Sequence, residues 1–174
     1  MKIVIINGAP RSGKDTFVGF CLDELKEYGH AFSTVDFVKD IARECGWNGE
    51  KTPKDRKFLS DLKDLLAEWN DVPYQMIRRE IAKIRLLAEQ YNIDHDKFVI
   101  FIHCREPKEI QRFVEEYDAI TVLVRRFEVE NLEQSNHADS EFFNYKYDVE
   151  VMNNSTLDEL KNTAKTFLEN LLKF

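Results

Sequence analysis

The stretch Ile3-Val-Ile-Ile-Asn-Gly8-Ala-Pro-Arg-Ser-Gly13-Lys14-Asp15-Thr16 decides how this chain folds. Residues 2–6 form a mostly β-branched apolar run, which is typical of a short buried strand. A glycine-rich turn with the spacing GxxxxGK follows, and then a segment with apolar residues at helical spacing: Phe17, Cys21, Leu25 and Tyr28. The stretch therefore predicts a strand, a tight turn and a helix in direct succession.

Further apolar runs alternate with helical patterns along the rest of the chain. The predicted strands cover residues 31–37, 97–102, 119–124 and 147–151. The predicted helices cover residues 38–46, three segments that open at Pro53, Pro73 and Pro107, and a last segment capped by residues 153–156. This alternation predicts an α/β fold of three layers, α/β/α, around a five-stranded parallel sheet, with strand 97–102 beside strand 2–6.

One domain is expected over residues 1–174, with residues 38–92 as a helical subregion over one end of the sheet. Phe58, Leu62, Leu65, Leu66 and Trp69 share one face of the helix that opens at Pro53. The rings of Trp47 and Trp69 are assigned to packing in the core or a lid rather than to base stacking. Residues 125–146 are polar and charged and show no clear period.

Composition and charge exclude several classes of protein. The 174 residues carry 25 Lys+Arg and 32 Asp+Glu, a formal net charge of −7, which argues against a general nucleic-acid binder. The three cysteines have no CxxC spacing, so reduced thiols in a cytoplasmic protein are expected. The absence of an apolar run of about 18 residues predicts no membrane span. The expected oligomeric state is a monomer or a homodimer.

The turn predicts a phosphate-binding loop made of Gly8, Ala9, Pro10, Arg11, Ser12, Gly13 and Lys14. Its glycines let backbone N–H groups surround a phosphate, and the following helix adds its positive end. Lys14 can reach the outer phosphates as a point charge. Asp15 stands where Ser or Thr is usual, and Thr16 follows, so both are candidate Mg²⁺ ligands, directly or through water. The alternative is a strand–helix turn without a ligand.

The arginines favour a small kinase over a GTP-dependent switch. No glycine is preceded three positions earlier by Asp, and no NKxD sequence occurs. Arginines are instead scattered over several segments of the chain. Their guanidinium groups can hold two phosphates together against the repulsion between them. They are Arg11, Arg43, Arg56, Arg105, Arg125 and Arg126.

The loop Arg11-Ser-Gly-Lys-Asp-Thr16 resembles the RSGKDT/KSGKD loop of two families in the nucleoside monophosphate kinase group. They are the bacteriophage and bacterial deoxynucleoside monophosphate kinases and the animal-type phosphomevalonate kinases. The resemblance is collinear over most of the chain. It continues in residues 38–42 with Gly46-Trp47, which lack the proline of the family pattern, and in residues 52–59, 105–110, 137–141, 147–149 and 153–154.

The resemblance implies a P-loop kinase that uses ATP and Mg²⁺ and has a short lid at residues 125–146. It implies catalytic roles for Lys14, Arg11, Arg125 and Arg126, and a donor-side role for Asn153. It implies acceptor-side roles for Asp36, Lys39, Arg43, Arg56 and Arg105, and a role in holding the lid for Asp139.

Several alternatives remain open at this point. Arg125 and Arg126 fit a solvated helix start, and Arg105 fits a surface ion pair with Glu106 or Glu109. Asp36 fits a position facing Mg²⁺ or a helix cap. The acceptor is a deoxynucleotide or phosphomevalonate, with residues 54–59 favouring the deoxynucleotide. A nucleotide-binding regulator without turnover is the alternative from another functional class.

Overall fold

The computed structural model describes residues 1–130 and 145–173, which contain five strands and seven helices. The strands are β1 Lys2–Asn7, β2 Gly29–Ser33, β3 Val99–His103, β4 Ile120–Arg125 and β5 Val149–Met152. The helices are α1 Lys14–Leu25, α2 Asp36–Glu44, α3 Pro53–Asn70, α4 Val72–Gln90, α5 Pro107–Tyr117, α6 Phe127–Glu130 and α7 Leu157–Leu171.

The strands form one five-stranded parallel sheet in the order β2-β3-β1-β4-β5, with helices on both sides, so the predicted α/β class is confirmed. β1 pairs in parallel with β3, from Lys2 opposite Val99 to Ile6 opposite His103, which confirms the predicted neighbour. β4 lies on the other side of β1, and β5 pairs with β4. The carboxyl ends of β1, β3 and β4 therefore meet at one edge of the sheet.

Both faces of the sheet are covered, because apolar residues on both sides of β1 are buried. Val4 and Ile6 share a core with Phe17 of α1, and the ring of Phe17 packs edge-on against Phe167 of α7 at 5.6 Å between centroids. Ile3 and Ile5, which alternate with Val4 and Ile6, are also buried. This burial on both faces explains why residues 2–6 read as an unbroken apolar run.

The chain divides into two units, Met1–Ala31 with Ile93–Phe174, and Phe32–Asn92. The predicted helical subregion 38–92 lies inside the second unit, which contains α2, α3 and α4. The hydroxyl of Thr52 and the carboxylate of Asp55 cap the start of α3 reciprocally, and Pro53 occupies the first turn, as predicted. α4 buries Tyr74, Ile77, Ile81, Ile84 and Ala88.

Two sequence-based expectations, one on a strand boundary and one on a side chain, require correction. β2 ends at Ser33 instead of residue 37, because the Asp36 carboxylate accepts the Ser33 N–H at 2.7 Å and starts α2 early. The expected packing of Trp69 is wrong, since this side chain is 82% exposed, whereas Lys63 on the same helix is buried. Trp47 is half-buried, and its Nε1–H donates to the Glu50 carbonyl at 2.9 Å.

Within the two described ranges, every helix is too short or too polar to cross a bilayer.

Candidate active site

The turn between β1 and α1 has a backbone that glycine is needed to form. Gly8 has φ 151° and Gly13 has φ 90°, and Arg11 between them also has a positive φ, 65°. A Cβ on Gly8 would clash with the Val124 carbonyl, and a Cβ on Gly13 would clash with the side-chain amide of Asn153. The two glycines of the GxxxxGK spacing are therefore required both by the dihedral angles and by close neighbours.

The turn presents polar groups that can bind an anion. Among the described residues, no side chain caps the N-terminus of α1. The buried hydroxyl of Ser12 has no hydrogen-bond partner within the same residues. The first N–H groups of a helix have no partner inside the helix, and its dipole favours negative charge there. The start of α1 therefore fits a phosphate group.

A cleft of about 370 Å³ opens at this turn, entirely within the first unit. Three cationic side chains line it, which are Arg11, Lys14 and Arg126. Lys14 Nζ also donates to the Ala9 carbonyl at 3.3 Å, so the loop itself orients this ammonium. The remaining lining residues are Gly13, Asp15, Thr16, Asn153, Ser155, Leu157 and Leu160. The cleft thus combines positive charge with an apolar wall from α7.

Arg125 and Arg126, adjacent in sequence, have different surroundings. Arg126 lines the cleft, and two of its guanidinium nitrogens donate to one oxygen of Glu128, at 2.6 and 3.1 Å. Arg125 Nη1 donates to Glu150 on β5 at 3.3 Å, and its guanidinium lies over the ring of Phe127. Only Arg126 of the pair is among the cleft-lining residues.

The candidate metal ligands are two oxygen-bearing side chains at the start of α1. Asp15 is exposed, and its carboxylate lies 3.5 Å from Nδ1 of His103 at the end of β3. Thr16 is exposed and also lines the cleft. In the described residues there is no group of three or more His, Cys, Asp or Glu that could hold a metal ion. This donor set fits Mg²⁺ bound largely by waters and phosphates, with one or two protein oxygens.

Asn7 connects the turn to two distant segments. It is buried, and its Oδ1 accepts the Gly8 N–H at 2.8 Å. Its Nδ2 donates to the Arg105 carbonyl at 3.1 Å and to the Tyr147 hydroxyl at 2.8 Å. Burial raises the pKa of Tyr147, and the hydrogen bond from Asn7 partly offsets this rise. Nothing in the local sequence pattern signals a role in this site for Asn7, Tyr147 or His103.

Arg105 follows β3 by two residues and is half-buried. It lies in the first unit, as do Asn7 and the cleft. The preceding residue, Cys104, is buried, and its backbone N–H donates to the Ile6 carbonyl at 3.2 Å. The segment that bears Arg105 is therefore fixed to the end of β1, beside the turn.

The other acceptor-side candidates lie in the second unit, where each has a neighbour within its own unit. Asp36 pairs with Lys39 at 3.2 Å, in addition to its bond with the Ser33 N–H. Arg43 pairs with Asp40 at 2.6 Å and lies over the ring of Trp47. Arg56 donates from Nε to the Lys51 carbonyl at 3.1 Å.

The predicted lid at 125–146 is described only at its two ends, 125–130 and 145–146. Asp139 lies outside the described residues, so its expected role remains a prediction.

No protein-family model matches the chain, and no curated protein does. Among solved structures, the chain is similar to a sugar kinase from Janibacter sp. HTCC2649, determined without ligand. The two are 15% identical, the alignment covers 97% of this chain and 95% of that chain, and the TM-score is 0.46. A similarity at this level carries no information on the substrate.

Proposed function

We propose that this chain is an ATP-dependent phosphotransferase that moves the γ-phosphoryl group to the phosphate of a small phosphomonoester. The carrying observation is the cleft at the start of α1, which is lined by Gly13 and by three cationic side chains, Arg11, Lys14 and Arg126. Charge neutralisation and positioning supply most of the catalysis of phosphoryl transfer, and this cleft provides the groups for both.

On the donor side, the turn and the first N–H groups of α1 bind the phosphates of ATP. Lys14 neutralises the outer phosphates, and its contact with the Ala9 carbonyl orients it toward them. The apolar wall of Leu157 and Leu160 suits the adenine ring, and the neighbouring Asn153 holds the loop at that side. The exposed oxygens of Asp15 and Thr16 are the residues that would hold Mg²⁺. The ion would supply positive charge between the phosphates.

On the acceptor side, Arg105 forks onto the phosphate of the acceptor. An oxygen of that phosphate attacks the γ-phosphorus, the bond from the γ-phosphorus to the bridging oxygen breaks, and ADP leaves. The attacking oxygen is already an anion, so the reaction needs no strong general base. Arg126 neutralises charge on the transferring group, for which it would exchange Glu128 for phosphate oxygens.

We propose a deoxynucleoside monophosphate as the acceptor, because residues 52–59 resemble the segment common in those kinases. Phosphomevalonate is the second candidate, since the loop and the segment that starts at Arg105 are similar in both families. Lys39, Arg43 and Arg56 are proposed as the acceptor-side cations of the second unit, with Asp36 beside Lys39.

A coupled ADP-release assay over a panel of nucleoside and deoxynucleoside monophosphates, plus phosphomevalonate, tests this proposal. We expect one deoxynucleotide to give the highest kcat/KM, and Lys14→Ala to abolish turnover with an unchanged circular dichroism spectrum. Lys161→Ala, an exposed lysine on α7, is the matched control and should retain full activity. A folded Lys14→Ala protein with near-normal turnover would contradict the proposal. Binding of ATP without turnover for any acceptor would favour the regulator.

A further inference from the structure

α3 carries an apolar stripe on its exposed side. Phe58, Leu62, Leu65 and Trp69 follow one another at intervals of four, three and four residues, so they line one side of the helix. Phe58 is 38% exposed, Leu65 62% and Trp69 82%, while Leu62 is half-buried. These four residues form the α3 stripe.

The buried side of α3 carries a charged residue instead. Lys63 is only 8% exposed and is the most deeply buried residue of α3. At about 100° per residue, Lys63 lies about 160° around the helix from Leu65. α3 thus directs Lys63 inward and leaves the α3 stripe largely exposed, while the half-buried Leu59 and Leu66 lie between the two. A contiguous exposed apolar patch, such as these neighbouring side chains form, typically marks an interaction surface.

Charges beside the stripe divide by sign along the helix. Lys54 and Lys57 lie in its N-terminal half, and Asp61, Asp64 and Glu68 lie in its C-terminal half. All five are exposed and occupy the same flank of the stripe, at about 20° to 100° around the helix from Leu65. One flank of α3 therefore changes from basic to acidic over its length.

We propose that the α3 stripe is a self-association surface, on which two copies of this chain pack α3 against α3 antiparallel about a twofold axis. A twofold axis across the helices brings the same flank of both copies together, with the N-terminal half of one against the C-terminal half of the other. Lys54 then faces the second copy's Glu68, and Lys57 faces the second copy's Asp64. A parallel pair would instead bring the two basic ends together.

The same register pairs the apolar residues. With the axis near residues 61–62, Phe58 packs against the second copy's Leu65, and the two Leu62 side chains meet at the centre. α3 has 18 residues and is about 27 Å long, so the contact is small for a protein interface. The expected dimer is therefore weak and reversible, with a Kd in the micromolar range, of order 10 µM. This inference does not depend on the proposed function.

Sedimentation velocity on the full chain over a concentration series tests the surface. We expect the wild-type protein to shift from monomer to dimer, and Leu65→Asp to weaken this dimer at least tenfold. Leu172→Asp, an exposed leucine on the first unit, is the matched control and should leave the dimer unchanged. Circular dichroism establishes that each variant is folded.

Charge exchange tests the antiparallel register. Lys54→Glu and Glu68→Lys, made singly, each bring like charges together and should weaken the dimer severalfold, most at low salt. The double variant again places opposite charges at positions 54 and 68, with their signs exchanged, and should regain most of the wild-type affinity. No rescue in the double variant would overturn the antiparallel arrangement.

Two results would overturn the surface itself. One is a wild-type protein that stays monomeric at concentrations far above the expected Kd. The other is a Leu65→Asp variant with unchanged association and a raised KM for the phosphate acceptor. That result would assign the α3 stripe to substrate binding.

Discussion

The side-chain amide of Asn153 donates a hydrogen bond to the carbonyl oxygen of Ser12, at 2.8 Å, across 141 residues of sequence. The backbone N–H of Asn153 also donates to the Arg125 carbonyl, at 2.7 Å. One residue after β5 therefore fixes both the phosphate-binding turn and the end of β4. Its amide occupies the space that a Cβ on Gly13 would need.

Gly13→Ala should weaken ATP binding without unfolding the protein. The new methyl group meets the Asn153 amide, and alanine disfavours the φ of 90° at this position. Isothermal titration calorimetry should show at least a tenfold weaker Kd for ATP. Gly19→Ala is the matched control, because Gly19 lies inside α1 with nothing within 4 Å of its Cβ position. That variant should keep ATP binding and gain about 0.5–1 kcal/mol of unfolding free energy.

Arg126→Ala should lower kcat more than Arg125→Ala does. Arg126 lines the cleft, while Arg125 is engaged by Glu150 and the ring of Phe127. A group that acts mainly on the transition state changes kcat, and we expect a fall of roughly 10- to 100-fold for Arg126→Ala. Steady-state kinetics on both single variants measures the difference. Equal losses would show that the pair acts as a unit.

Arg105→Lys should raise the KM of the phosphate acceptor and leave ATP binding almost unchanged. Lysine keeps the charge but loses the two-pronged guanidinium, and a hydrogen bond to a charged partner contributes about 1.5–3 kcal/mol. The expected rise is roughly ten- to a hundredfold. Lys108→Arg, at an exposed position three residues later, serves as the control. Weaker ATP binding with an unchanged acceptor KM would reverse the assignment of the two subsites.

Stability should fall as the pH rises from 9 to 10, partly through Cys21. Burial raises the pKa of the Cys21 thiol from 9.0 to about 12. In this interval the unfolded chain releases the thiol proton and the folded chain keeps it, so ionisation favours the unfolded state by up to about 1.4 kcal/mol per pH unit. Urea denaturation at several pH values should show a shallower decline for Cys21→Ala. Cys45→Ala, at an exposed position, should decline like the wild type.

Much of the fold is predictable from local signals. The apolar runs of β1, β3 and β4, and the prolines that open α3 and α5, act over a few residues, so their elements occur where expected. The end of β2 depends on a hydrogen bond between Asp36 and Ser33 that competes with the strand. Such side-chain competition is poorly visible in a hydrophobic pattern.

The outward-facing stripe of α3 illustrates a second limit. Periodicity identifies which residues share a helix face, and Phe58, Leu65 and Trp69 do share one. It does not tell which face the rest of the protein covers, and here Lys63 occupies the covered side. The sequence pattern therefore did not predict that this apolar face of α3 is exposed.

The candidate site likewise has one part that the sequence predicts and another that it does not. The spacing of Gly8, Gly13 and Lys14 predicts the turn, because the glycine requirement is local. The neighbours that hold the turn, Asn7 and Tyr147, are 140 residues apart, so only the folded chain brings them together.

The three hydrogen bonds of Asn7 also affect when the nucleotide pocket can form during translation. Ribosomes release the chain from its N-terminus, so Gly8 is available long before the partners of Asn7 at residues 105 and 147 emerge. Until residues 105 and 147 have both emerged, Nδ2 of Asn7 lacks at least one of its two acceptors, although Oδ1 can already accept the Gly8 N–H. A nascent chain that ends before β5 therefore contains the whole GxxxxGK sequence and still lacks a formed nucleotide pocket. Capacity to bind nucleotide should arise late, with the final fifth of the polypeptide.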